Sequence, residues 1–204
     1  MKPQLIVLDG GEGTGKSSHT QALQRHYEED VVITREPGGS PYAEEIRRLI
    51  LSPSAKDANA ETMFGLFWAA RAAHLKEIIR PALEDGKTVI CDRFDSSTWA
   101  YQICGQEQRQ LEELFFAMRK HYLGDIKPIY LILDVPVLVG LQRARMRGDE
   151  MTHFDERDVA FHTRVRHGFR DFTRRLICDF KFVDSEQSFD EVGDELIRLI
   201  DFVT

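Results

Sequence analysis

The stretch Leu5 to Ser18, LIVLDGGEGTGKSS, decides how this chain folds. An apolar run, Leu5–Leu8, reaches Asp9; Gly10 then opens a spacing of glycine, four residues, Gly15, Lys16 and a hydroxyl residue, Ser17. The run does not alternate with polar residues, which is the pattern of a strand buried on both faces. Gly10, Gly11, Gly13 and Gly15 admit backbone angles that a side chain would forbid, so consecutive N–H groups can converge on a phosphate. A helix predicted over Lys16–Glu28 aims its positive end at the same point. In this pattern Lys16 reaches the outer phosphates and the Ser17 hydroxyl ligates Mg²⁺. Glu12, Thr14 and Ser18 belong to the same loop and first helical turn. A glycine-rich turn with no ligand is the bland alternative, and the strand before it and the helix after it weigh against that.

The remaining chain repeats the strand-then-helix alternation. Short apolar strands are expected at Val31–Thr34, Thr88–Cys91, Ile129–Leu133 and Phe180–Val183. Helices are expected at Pro41–Leu51, Asn59–Glu84 (kinked or restarted at Pro81), Ser96–Ile103, Gln108–Tyr122, Pro136–Arg147, Asp155–Cys178 and Phe189–Phe202. The Asp155–Cys178 segment carries an apolar stripe at Phe161, Val165, Phe169, Phe172 and Leu176. The fold class is therefore α/β, a five-stranded parallel sheet with helices on both faces, with ligands beyond the carboxyl ends of the strands. No repeat or linker divides the chain, so residues 1–204 are read as one domain. Its polar loop, with the residues around it from about 143 to 157, is read as a lid.

Composition narrows the function. The chain has 204 residues, a net charge of −7 and 42% hydrophobic residues. An acidic chain does not wrap nucleic acid, so arginines that bind phosphate must be concentrated locally. No apolar run is as long as a membrane span. The three scattered cysteines suit free thiols in a reducing compartment. A cytoplasmic enzyme acting on small molecules is the expectation.

The chemistry gathers where strands end. Arg35 and Arg93 both follow strands, and a guanidinium fork matches the oxygens of an acceptor phosphate. For either alone, a surface salt bridge is an equal reading. Asp92 could steer that phosphate or position Mg²⁺ through water, and Asp9 could do the latter; a capping or ion-pairing carboxylate is the alternative for Asp92. Arg143 and Arg147 share a helix face before the polar loop, whereas Arg145 points elsewhere and competes as a solvated helix end. Phe67 and Arg71 lie four residues apart, so one could stack on a base and the other bond to it, although periodicity alone favours core packing for Phe67.

These residues resemble those of bacterial thymidylate kinases over essentially the whole chain. The matching pieces are GGEGTGKSS, TREPGG at 34–39, LFWAAR at 66–71, IIRPAL at 78–83, DRF at 92–94, AYQ at 100–102 and LQRARMRG at 141–148. The resemblance implies the phosphate-loop nucleoside monophosphate kinase fold, transfer of the γ-phosphate of MgATP to dTMP, and a homodimer, with no nucleic-acid or membrane partner. It implies that Gly10 to Ser18, Arg143 and Arg147 serve ATP. It further implies that Glu12, Arg35, Pro37, Phe67, Arg71, Arg93, Ser97, Thr98 and Tyr101 serve dTMP, with Lys16, Asp92, Arg93 and Arg147 catalytic. Two departures stand out. Histidine, His153, occupies the place where the lid usually supplies an arginine, leaving Arg143, Arg145, Arg147, His153 or Arg157 to fill that role. Ile103-Cys104-Gly105-Gln106 follows Tyr101-Gln102 where relatives often carry glycines and an arginine. A broader deoxynucleoside or monophosphate kinase, or a nucleotide-binding module without turnover, are the alternative readings.

Overall fold

The central strand β1, Leu5–Gly10, is buried along its whole length. It can be so because β3, Thr88–Asp92, and β4, Ile129–Asp134, flank it in parallel. β2, Val31–Arg35, and β5, Phe180–Asp184, complete the order β2-β3-β1-β4-β5. This is a computed structural model; it describes residues 2–146, 154, 156–176 and 178–204. The five parallel strands expected from sequence are all present, each running one or two residues further than its apolar core.

Alternate residues of β1 feed opposite faces, as the pleat requires. Leu5 and Val7 join Trp68, Trp99, Phe115, Phe169 and Phe172 in one core. Ile6 and Leu8 join Leu23, Val192, Leu196 and Ile200 in the other. The first core is roofed by α3 (Ala60–His74), α6 (Glu112–Leu123) and α8 (Val159–Arg175). The second is covered by α1 (Lys16–Tyr27) and α9 (Phe189–Val203). α2 (Pro41–Ile50) packs on α3 around Ala43, Ile46, Ile50 and Met63.

Several helix boundaries differ from expectation for identifiable reasons. α3 runs without a break through a π turn, Leu75–Ile79, into α4, Arg80–Glu84; Pro81 follows that wider turn inside a continuous helix, where its missing N–H leaves one ladder bond unmade. A second π turn, Trp99–Gly105, continues α5, Asp95–Thr98, in place of a plain helix ending at Ile103. α6 starts only after a 3₁₀ turn at Arg109–Leu111. α8 is shorter at both ends than Asp155–Cys178. Asp158 caps it by accepting from the Phe161 N–H at 2.7 Å, and Leu176 already has extended backbone. α7 is described over Val137–Met146. Arg147, His153 and most of the expected lid loop lie outside the described residues.

Candidate active site

A cleft of about 310 Å³ opens at the carboxyl ends of β1, β2 and β3. Glu12 to Ser17 form one side. Arg35, Pro37, Phe67, Arg71, Arg93, Ser97 and Tyr101 form the other. β1 connects back to β2, β4 connects away to β5, and the chain parts at the β1–β4 boundary. Gly10 sits on that boundary at φ 146°, where a Cβ would run into the Leu133 carbonyl.

The loop is held from behind. Asp9 is fully buried and accepts from the Gly10 N–H at 2.8 Å, Ser96 Oγ at 2.6 Å and Ser97 Oγ at 2.8 Å. Burial pushes its carboxyl pKa up against the pull of Arg93 and Lys16. Both Asp9 oxygens tie β1 to the segment after β3. Asp92, by contrast, lines the cleft and accepts from the Ser17 hydroxyl at 3.0 Å. That gives two oxygen donors side by side next to Lys16, a chemistry suited to Mg²⁺ shared with a nucleotide's phosphates. Among the described residues no cluster of three or more His, Cys, Asp or Glu could hold a metal alone.

Lys16 is buried, its ammonium donating to the carbonyls of Gly10 at 3.1 Å and Gly11 at 2.7 Å. Burial and the nearby Arg93 bring its pKa down to about 8. Arg93 has a left-handed backbone, φ 68°, a conformation costing a non-glycine residue on the order of 1–3 kcal/mol. Its N–H donates to Leu8 O at 3.0 Å, and Cys91 Sγ–H donates to its carbonyl, also at 3.0 Å. The bend turns the guanidinium into the cleft, where it donates to Glu12 at 3.0 Å and to the Tyr101 hydroxyl at 3.3 Å. Tyr101 in turn donates to Glu12 at 2.5 Å. Burial would raise the Glu12 pKa, but Arg93, Lys16 and Tyr101 outweigh it and bring it down to about 2. Burial and Glu12 keep the Tyr101 phenol protonated, far above its ordinary range.

Arg35 is exposed at the rim and paired with Glu44 at 3.0 Å. Phe67 is half-buried, with Phe154 centred 6.3 Å away and Tyr101 centred 5.9 Å beyond that ring. Arg71 is 1% exposed, packed 4.6 Å from the Trp68 ring and 5.1 Å from that of Phe94. Thr98, expected on the base edge, stands behind Arg71 and accepts from it at 3.2 Å; it is not part of the cleft wall. Ser18 is exposed on the first turn of α1 and also lies off that wall. Arg143 donates to Ser185 O at 2.6 Å, towards the loop after β5. Arg145 is exposed, and Arg157 stacks at 4.8 Å on Phe161.

Sequence reasoning missed Arg47, Gln102 and Phe154, which also line the cleft. Arg47 donates to the Pro37 carbonyl at 2.7 Å, yet in sequence it reads as a basic helix end. Gln102 follows Tyr101 within the π turn, whose wide pitch no hydrophobic periodicity signals.

The chain is similar to known proteins over nearly its whole length. The thymidylate kinase family model matches residues 8–196. The thymidylate kinase of Pseudomonas syringae pv. tomato is 40% identical over 96% of this chain and 93% of its own. That of Caulobacter vibrioides is 41% identical over 92% and 90%. The solved thymidylate kinase from Ehrlichia chaffeensis is 27% identical, covers 98% of this chain and 100% of its own, and superposes with a TM-score of 0.77. With a family model spanning nearly its full length and relatives this similar, the chain belongs to the thymidylate kinase family.

Proposed function

We propose that the cleft joins the γ-phosphate of ATP to the phosphate of dTMP, giving dTDP and ADP, with the loop side gripping the donor and the Arg93 side the acceptor. Family membership supports the reaction, and one observation carries the assignment of sides. The loop with Lys16 and the residues Arg93, Arg71 and Phe67 line a single cleft, and Arg93 reaches back to the loop at Gly10 O and Glu12. Phosphoryl transfer needs this end-to-end placement and positive charge over the transferred group more than it needs covalent help. Lys16 neutralises the outer donor phosphates, and Arg93, Arg35 and Arg47 draw in the acceptor phosphate. Phe67 stacks on the thymine, Arg71 and Gln102 read its edge, and Glu12 with Tyr101 borders the sugar. Ser17 and Asp92 are the residues that would hold Mg²⁺, which when bound offsets charge on the donor phosphates.

A coupled assay with ATP and a panel of monophosphates tests the reaction. dTMP should turn over fastest, with dUMP weaker by about 1–3 kcal/mol for the missing methyl. Equal or faster turnover of dCMP, dGMP or CMP would overturn it. The family resemblance and the exposed Tyr42 and Leu49 of α2 and Leu114 of α6 also support a homodimer. Sedimentation at micromolar concentration should give twice the chain mass. No helix among the described residues is long and apolar enough to cross a membrane, and the cytoplasm is the proposed location.

A further inference from the structure

We propose that His74, acting with Thr34 and Glu36, is a positioning relay that fixes the Arg71 guanidinium and so sets selectivity for the acceptor base. The inference rests on the placement of dTMP in the cleft proposed above. His74 is 0% exposed and sits on α3 one turn beyond Arg71. Its Nδ1 lies 3.1 Å from one oxygen of Glu36, and the other Glu36 oxygen accepts from Arg71 Nε at 2.8 Å. Its Nε2 lies 2.7 Å from Thr34 Oγ1. A carboxylate only accepts, so Nδ1 is the donor towards Glu36. Thr34, His74, Glu36 and Arg71 thus form one continuous chain of contacts from β2 to the cleft wall.

The chain leaves Arg71 a single free edge. Nε is taken by Glu36 and Nη2 by Thr98, and the plane is packed between Trp68 and Phe94. Nη1 has no partner among the described residues and belongs to a residue lining the cleft. A buried, unpaired guanidinium nitrogen is costly unless a ligand supplies an acceptor. Thymine offers a ring carbonyl; cytosine has an amino group at the same position, and two donors cannot pair. Discrimination then depends on how firmly the guanidinium is held, which is the work of Glu36 and, behind it, His74 and Thr34.

The same contacts give the second glycine of the Arg35–Gly39 turn a reason. Gly39 has φ 85°, and a Cβ there would lie 2.5 Å from both His74 Nε2 and Thr34 Oγ1. Its bareness makes room for the His74–Thr34 contact.

The test compares His74→Ala, His74→Asn, Thr34→Val and Thr34→Ser, each also combined with Arg71→Ala, for kcat and KM with dTMP, dCMP and ATP and for melting temperature. His74→Ala should raise the dTMP KM about tenfold and cut the dTMP-over-dCMP preference by a similar factor, as loss of one buried hydrogen bond implies. The ATP KM should stay within about twofold, a margin below the tenfold change of one buried bond. His74→Asn, which keeps a donor for Glu36, should recover most of the preference; Thr34→Val, which removes only the outer contact, should fall between, and Thr34→Ser should behave as the unaltered chain. In the Arg71→Ala background the His74 changes should have no further effect. A lowered kcat or melting temperature with dTMP KM and preference unmoved would overturn the relay, as would effects that add to those of Arg71→Ala. If the unaltered chain does not phosphorylate dTMP, the proposed function falls and this inference with it; turnover with an unmoved preference overturns the inference alone.

Discussion

Gly13 and Gly140 meet backbone to backbone: a Cβ on Gly13 would overlap the Gly140 carbonyl, and a Cβ on Gly140 would overlap the Glu12 carbonyl. The phosphate loop therefore rests on the first turns of α7, which fixes how far it can move. Gly140→Ala should push the loop out of shape, costing about 1–3 kcal/mol in stability, the usual penalty for overpacking. Urea unfolding and the ATP KM measure it; the ATP KM should rise more than the dTMP KM.

Arg93 stands on the acceptor side in the proposed division. Arg93→Ala should weaken dTMP binding by about 10- to 100-fold, the worth of charge-assisted hydrogen bonds, and lower turnover with it. Calorimetric titration should find ATP binding nearly intact. An equal loss for ATP would show that the two sides were assigned wrongly.

Ser17 and Asp92 share one hydrogen bond at 3.0 Å. If they hold Mg²⁺ together, Ser17→Ala and Asp92→Asn should each raise the Mg²⁺ concentration needed for half-maximal turnover, and the double variant should raise it little further. Titrating Mg²⁺ at fixed ATP checks this. Independent, multiplying effects would separate the two residues.

Lys16 and Glu12 predict opposite pH limbs. Burial and Arg93 lower Lys16 from an ordinary 10.5 to about 8, so the free protein loses this charge as pH rises through 8. kcat/KM for ATP should fall there, while kcat at saturating ATP should not, because bound phosphates retain the proton. Glu12 goes the other way in its effect on stability. Its folded pKa of about 2 lies below the ordinary 4.5, so its pairing stabilises the fold above pH 4.5 and that contribution is lost as pH falls towards 2. Urea midpoints between pH 3 and 7 should show a shallower acid slope in Glu12→Gln.

The order of elements was legible because each strand here is a short apolar run followed by a turn or a capped helix. The pieces at 10–17, 34–39 and 92–94 were legible as site residues because phosphate chemistry demands those types at strand ends. Less legible were the partners. Glu12 looks like a loop carboxylate, and nothing local reveals that it joins Arg93 and Tyr101. Thr98 and Tyr101 look alike as residues of one helix, yet only Tyr101 reaches the cleft, because a π turn changes the pitch between them.

By itself the sequence determined the alternation of strand and helix, the conformation of the loop from Gly10 to Ser17 and the strand ends where ligands gather, since these follow from local periodicity and from glycine. Only the tertiary structure decided which polar side chains face the cleft and which are spent inside the protein. Asp9 and Asp92 end neighbouring strands with the same carboxylate, but the first is buried and bonded by Gly10, Phe94, Ser96 and Ser97, whereas the second stands at the cleft beside Ser17. That difference depends on contacts between residues far apart in the chain, and no spacing within it encodes them.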